Sequence, residues 1–316
     1  MEYRRLGQTG LKVSALCLGT VNFSERTPAE EVARIIHRAL DEGINFIDTA
    51  NVYSQGRSEE AVGKALKGRR HEVVLATKVC GRMGEGANDA GLSRRQILTA
   101  VEGSLRRLQT DHIDLYQLHM PDPDTPMEET LSALTDLVRA GKVGYLGTSN
   151  YAAWQIAHAH GVSALHGWER FVSEQPQYSL LDRHIEGELV PFAEADGVAI
   201  LPWSPLAGGL LSGRYRTDDP TPAGSRRDAD FWMPSPDQVD ARLKLVEQLA
   251  GLAAEIDAPL SQFALAWVVG RPGVTCPIVG PRTMAHLEDN LAALTLDLPE
   301  TALKTIDAWL PPGGIA

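Results

Sequence analysis

No stretch of this chain is uncharged and apolar over the length needed to span a bilayer, so membrane insertion is not expected. Cysteine is scarce. Cys17, Cys80 and Cys276 are odd in number and widely spaced, which argues against a disulfide framework and fits a reducing compartment. Each falls in an apolar, strand-like segment, where a thiol behaves as a small buried hydrophobe. Positive charge is also short: 30 Lys and Arg face 41 Asp and Glu, a formal charge of −11. That balance disfavours nonspecific binding to nucleic acid or anionic membrane, and any anionic ligand must meet a local cationic patch. The opening MEYRRLGQTGLKVS has neither an apolar h-region nor a cleavage pattern, so the cytoplasm is the expected location. No linker separates two domains, the Pro/Gly/charge-rich stretch from Leu206 to about Pro236 reading as a loop on the carboxyl face, and residues 1–316 read as a single domain.

What is present is alternation. Eight short apolar or β-branched runs, VSALCLGT (13–20), INFIDTA (44–50), EVVLATKV (72–79), IDLYQLHM (113–120), VGYLGTSN (143–150), FVSEQPQY (171–178), GVAILPWS (197–204) and VTCPIVG (274–280), precede segments of helical periodicity. PAEEVARIIHRALDEG, SEEAVGKALKG, SRRQILTAVEGSLRRLQ and PMEETLSALTDLVRAGK carry Pro, Ser or Thr near their starts and Gly or Lys near several ends. Eight strand–helix units with apolar strands imply an α/β fold of parallel strands closed as a (β/α)8 TIM barrel. An open doubly wound sheet would normally carry G-x-G-x-x-G after its first strand, a motif missing here. YRRLGQTGLKVS, ahead of the first barrel strand, reads as an N-terminal β-hairpin capping the barrel bottom.

Four ionisable residues fall at the downstream ends of early strands: Asp48, Tyr53, Lys78 and His119. In a parallel barrel those ends line the functional face. Singly each has an ordinary reading, a structural ion pair or an idle loop residue; together they suggest acid–base chemistry. A lysine about 4 Å from a phenol would favour the phenolate by roughly 4 kcal/mol at an effective dielectric near 20, about three pKa units. On that reasoning Tyr53 should titrate near neutrality, with Asp48 keeping Lys78 charged and His119 hydrogen-bonding a substrate oxygen. The histidines of HAHGVSALH do not form a metal site by spacing, since His158 and His160 point in different directions on a helix and no metal is expected. Paired carboxylates of a hydrolase are likewise missing from the strand ends.

The segments NFIDTANVYSQGRSEEAVGKAL, VVLATKV and IDLYQLHMPD, followed by GKVGYLGTSNY, EQPQYSLLDR, PWSPLAGGLLSGRY and PIVGPRTMAHLEDNLAAL, resemble the aldo-keto reductase family across nearly the whole chain. The resemblance implies a metal-free reduction of aldehyde or ketone carbonyls by hydride transfer from NADPH, with Tyr53 as general acid in a tetrad with Asp48, Lys78 and His119. It places Thr20, Val21 and Asp48 beside the cofactor, Ser149, Asn150 and Gln175 on the nicotinamide carboxamide, and Trp203 stacked on the ring. It sets Ser204, Pro205, Leu206 and Gly208 over the pyrophosphate and Arg214 near the phosphates. Gly280 and Arg282, before a helix starting near Thr283, would meet a 2′-phosphate, which a helix N-terminus also favours. His286, Asp289 and Asn290 match the adenine end. His286 departs from the usual Arg or Gln and contributes less charge. The implied partner is a small carbonyl compound, expected to contact Val21, Asn22, Phe23, the segment GRMGEGANDAGL, a later loop containing Phe231 and Trp232, and the tail PPGGIA. Oligomeric state is open, a homo-oligomer included. A second reading also follows, since barrels of this kind serve as accessory subunits of channels: a nucleotide-sensing regulatory subunit that binds NADPH with little turnover.

Overall fold

The computed structural model describes residues 1–225 and 236–316. The chain opens with β1 (Tyr3–Arg5) and β2 (Lys12–Ser14), an antiparallel hairpin. Gly7 supplies its left-handed turn at φ +58°, and a Cβ there would come within 2.5 Å of the Gly197 carbonyl oxygen. The hairpin lies across the amino ends of the barrel strands. Asn45 accepts from the Ser14 amide at 2.7 Å, and Arg4 reaches the Val269 carbonyl at 3.0 Å.

Eight parallel strands follow: β3 (Cys17–Gly19), β4 (Phe46–Asp48), β5 (Val74–Val79), β6 (Ile113–Leu118), β7 (Val143–Ser149), β8 (Phe171–Gln175), β9 (Ala199–Ile200) and β10 (Ile278–Val279). They pair in chain order, and β10 returns to β3. Closure between β9 and β10 uses the Thr275 amide on the Ile200 carbonyl at 2.9 Å and the Ile278 amide on the Pro202 carbonyl at 2.8 Å. The TIM barrel and the hairpin read from sequence are therefore both present. The last two strands are much shorter than their apolar runs, because Pro202 and Pro277 lack the N–H that would extend them.

Helices cover the outside: α1 (Ala29–Asp41), α2 (Arg57–Ala65), α3 (Arg94–Leu108), α4 (Met127–Arg139), α5 (Ala153–His166), α6 (Leu189–Asp196), α7 (Pro236–Ala254), α8 (Leu260–Val269), α9 (Met284–Ala292) and α10 (Glu300–Trp309). In α1 the buried residues Val32, Ile35, Ile36, Ala39 and Leu40 trace the stripe expected of a helix lying on a sheet. Ser93 caps α3 by accepting from the Gln96 amide, and Thr283 caps α9 by accepting from His286.

The period of two along the strands builds the barrel interior in layers. Phe46, Val74, Ala76 and Leu115 point inward and meet Leu6 and Val13 of the hairpin, Cys17, Leu201 and Cys276 in an apolar plug. Burying each large side chain there contributes about 1.5–3 kcal/mol. The next inward positions along β4, β5 and β6 are Asp48, Lys78 and Gln117, all buried; Lys78 and Gln117 are register partners, while Asp48 pairs with Ala76 one inward step earlier on β5. A polar layer thus sits directly on an apolar one, at the carboxyl ends of the strands.

Outward-facing Thr77 of β5 donates to Glu59 of α2 at 2.6 Å, and Glu59 also receives Arg107 of α3 at 2.7 Å. On the opposite side of the barrel Arg183, fully buried, pairs with Glu186 and Asp307 and lies 5.1 Å from the Trp267 ring centroid. No helix among the described residues is long and apolar enough to cross a membrane.

Candidate active site

Lys78 is fully buried and surrounded on three sides: its ammonium donates to the Asp48 carboxylate, to the Thr49 carbonyl at 2.9 Å and to the Tyr53 hydroxyl at 3.2 Å. Tyr53 projects from the loop after β4 and meets the His119 ring edge-on, centroids 5.8 Å apart. The four residues expected to act together are therefore in one place. Tyr53, Asp48 and His119 line a cavity of about 500 Å³, while Lys78 lies beneath its floor.

The electrostatics differ from expectation at Tyr53. Burial raises the phenol above its ordinary value, and Lys78, which lowers it, does not win. Tyr53 is not a near-neutral titrating group; it is a firmly protonated one. For Lys78 burial works downward, but Asp48 and Tyr53 outweigh it and the ammonium is raised. Burial, then Lys78, pushes His119 down to about 3, so its imidazole is neutral at physiological pH.

The backbone around the site is strained. Ser54 (φ 49°) and Gln55 (φ 58°) are left-handed, followed by Gly56 (φ 88°), a turn that aims Tyr53 inward. At Gly56 a Cβ would lie 2.7 Å from the Arg107 side chain. Asn150 (φ 62°), Ser204 (φ 54°) and Ala207 (φ 50°) are further left-handed residues on or beside the cavity wall.

Every residue assigned to the cofactor by resemblance, Thr20, Val21, Asp48, Ser149, Asn150, Gln175, Trp203, Ser204, Pro205, Leu206, Gly208, Arg214, Gly280, Arg282, His286, Asp289 and Asn290, lines this cavity. Ser149 donates to the Gln175 carbonyl at 2.8 Å. Asn150 holds the His119 carbonyl at 3.0 Å through its amide nitrogen and accepts from the Trp203 indole at 3.2 Å. At the far end Arg214 reaches the Ala223 carbonyl at 2.6 Å, Arg282 that of Gly224 at 3.3 Å and Arg26 that of Ser225 at 3.4 Å. Three guanidiniums thus gather on one short turn. Burial, then Arg26 and Arg214, holds Arg282 below its usual value, so a polyanion there would be stabilised.

Other expectations shift. The N-terminus of α9 is partly taken, since the Met284 amide donates to Glu31 at 2.9 Å and the His286 amide to Thr283. An anion at this end of the cavity would meet the arginine side chains more than the helix amides. GRMGEGANDAGL folds on itself through Met83 and Asp89 and does not line the cavity. Phe23 is a core residue, whereas Val21 and Asn22 are on the wall. The tail is stitched to Leu181 and Arg183 instead of entering the cavity, and Phe231 and Trp232 lie outside the described residues. Sequence reasoning missed Arg26, Ser225 and Tyr215, which only the fold brings to the cavity or its rim. It also missed Gln117, which donates to Asp48 at 2.9 Å. Within HAHGVSALH, His160 is occupied by Asp196 and the Phe171 carbonyl.

The chain has relatives that match it over nearly its whole length. The chain is 42 % identical to the uncharacterized oxidoreductase YrpG of Bacillus subtilis, over 99 % of this chain and 98 % of that protein. It is 37 % identical to a probable voltage-gated potassium channel subunit beta of rice, over 97 % and 95 % of the two chains. A versiconal hemiacetal acetate reductase of Aspergillus parasiticus is 33 % identical over 100 % of this chain and 98 % of its own. Residues 15–311 match the sequence model of the aldo/keto reductase family, and the chain belongs to that family.

Proposed function

We propose that the protein reduces the carbonyl of an aldehyde or ketone with NADPH, Tyr53 delivering the proton. The observation that carries this reading is the 3.2 Å contact between the Lys78 ammonium and the Tyr53 hydroxyl at the floor of the cavity. The cavity residues fit a pyridine dinucleotide: amide and hydroxyl groups of Ser149, Asn150 and Gln175 at one end, the Trp203 ring beside them, and the Arg214 and Arg282 guanidiniums at the other. When bound, NADPH would supply the hydride.

The chain's own residues do the rest. Neutral His119 can donate a hydrogen bond to the substrate oxygen without carrying charge. The phenol of Tyr53, kept protonated by burial, gives its proton to the alkoxide as that oxygen gains basicity. Lys78 stabilises the phenolate left behind, and Asp48 balances the lysine. In this reading Lys78 acts on the product side of the transfer, lowering the cost of the phenolate, and need not make the resting phenol acidic. Clustered arginines at the phosphate end support NADPH over NADH.

A second reading has its own support, in the relatives named as potassium channel beta subunits: an NADPH-binding regulatory subunit with slow chemistry. Single-turnover oxidation of bound NADPH separates the two. Rapid loss of reduced cofactor with a reactive aldehyde supports the reductase, and reaction over many minutes with every carbonyl offered supports the sensor.

A further inference from the structure

Gln117 contributes nothing to the cavity wall, yet it is fully buried in the polar layer of the barrel and spends both ends of its amide there. Its Nε2 donates to Asp48 Oδ1 at 2.9 Å, and its Oε1 accepts from Gln175 Nε2 at 3.2 Å. Gln175 Nε2 also donates to the same Asp48 oxygen at 3.0 Å. A carboxylate only accepts hydrogen bonds, so each amide must turn its nitrogen toward Asp48. Both N–H groups of Gln175 are then occupied. Its oxygen remains as the polar atom this cavity-lining side chain can offer a ligand.

We infer that Gln117 is a positioning residue: by occupying the second N–H of Gln175 it makes that side chain a pure acceptor, and so selects a cofactor ring bearing an amino group on its carbonyl. This rests on the nicotinamide reading above. A carboxamide presents an N–H₂ that an acceptor can hold, whereas an acetyl group of the same shape presents a methyl. Gln117 therefore shapes cofactor recognition without touching the cofactor. It also supplies one of the two amide donors on Asp48 Oδ1, while Oδ2 faces Lys78.

Calorimetric titration of the purified protein with NADP⁺ and with its 3-acetylpyridine analogue tests this. In the wild type the analogue should bind about tenfold more weakly, the size of one lost hydrogen bond. Gln117→Met frees an N–H of Gln175 that can serve the acetyl oxygen, and the ratio should fall to about threefold. In Gln175→Met the ratio should approach one, and adding Gln117→Met should leave it there, because Gln117 acts through Gln175. Gln117→Asn, which keeps an amide but is a methylene too short to span both partners, should shift the ratio in the same direction if the methionine variant does not fold. An unchanged ratio in a folded Gln117 variant, or an equal shift without Gln175, overturns the inference. A wild type that binds neither dinucleotide overturns the cofactor reading itself, a separate and recognisable result.

Discussion

Arg107 meets Glu59 at 2.7 Å directly beneath the left-handed turn that carries Tyr53. The pair is unequal: the Glu59 side chain is at 0 % exposure and Arg107 at 23 %. Removing the arginine strands a buried carboxylate, while removing the acid leaves a cation that can reach water. Arg107→Met should cost about 4 kcal/mol and Glu59→Gln about 1–2, as read by urea unfolding. Equal losses would mean the pair is not anchored as described.

Tyr53→Phe removes the proposed proton donor and little else. Its kcat for aldehyde reduction should drop at least about a hundredfold, with NADPH affinity within about threefold of wild type. Lys78→Met should follow the same pattern. Retention of most of the wild-type rate in either variant would remove Tyr53 from the chemistry.

The pH profile of reduction should lack an acidic limb near neutrality. His119, at about 3, and Tyr53, raised by burial, both keep one protonation state between pH 5.5 and 8 by about a unit or more on either side. The prediction is a flat kcat/KM over that span, falling only in alkali as the phenol ionises. A break near pH 6.5 would show that His119 titrates as an ordinary histidine.

Glu174 is buried, with Oε1 accepting the Tyr151 amide at 3.0 Å and Oε2 unpartnered. Burial raises it to about 8, against an ordinary carboxylate value in the unfolded chain. Between those values the folded protein holds the extra proton, so stability from this group is present at low pH and falls as pH rises through about 8. Glu174→Gln should therefore gain on the wild type as pH climbs from 5 to about 8.5, measured as a growing difference in Tm. A constant difference would indicate that the carboxyl is already ionised.

Arg282→Ala should weaken NADPH about 10- to 100-fold, the range for a charge-assisted contact, and change NADH much less. Loss of the two affinities in parallel would place the arginine away from the 2′-phosphate.

Much of the site could be read from strand parity. Asp48, Lys78 and His119 share the inward phase of Phe46, Val74 and Leu115, and the alternation in FID, VLATKV and IDLYQLH is visible without coordinates. Gln117 carried the same signal, a polar residue on the inward phase two before His119, and reading DLYQLHM as an apolar run hid it. The acidity of Tyr53 was not legible, because pairwise distance to Lys78 can be guessed from a motif while the competing loss of solvent depends on everything packed around the ring. The convergence of Arg26, Arg214 and Arg282 was equally hidden, since it joins residues from opposite ends of the chain. The tetrad was legible because Asp48, Lys78 and His119 fall at the carboxyl ends of three consecutive strands and Tyr53 lies in the loop after the first of them. Loop walls such as the 81–92 segment were not, as their direction is set by internal bonds like that of Met83 with Asp89.

The indole of Trp203, tethered to Asn150 on the cavity wall, has an optical consequence. Its emission overlaps the absorption of a reduced nicotinamide, so a dihydropyridine stacked against it would quench the tryptophan and light up in its place. Loading and discharge could then be followed in unlabelled protein, by colour of emission alone, through a reporter that the chain already carries.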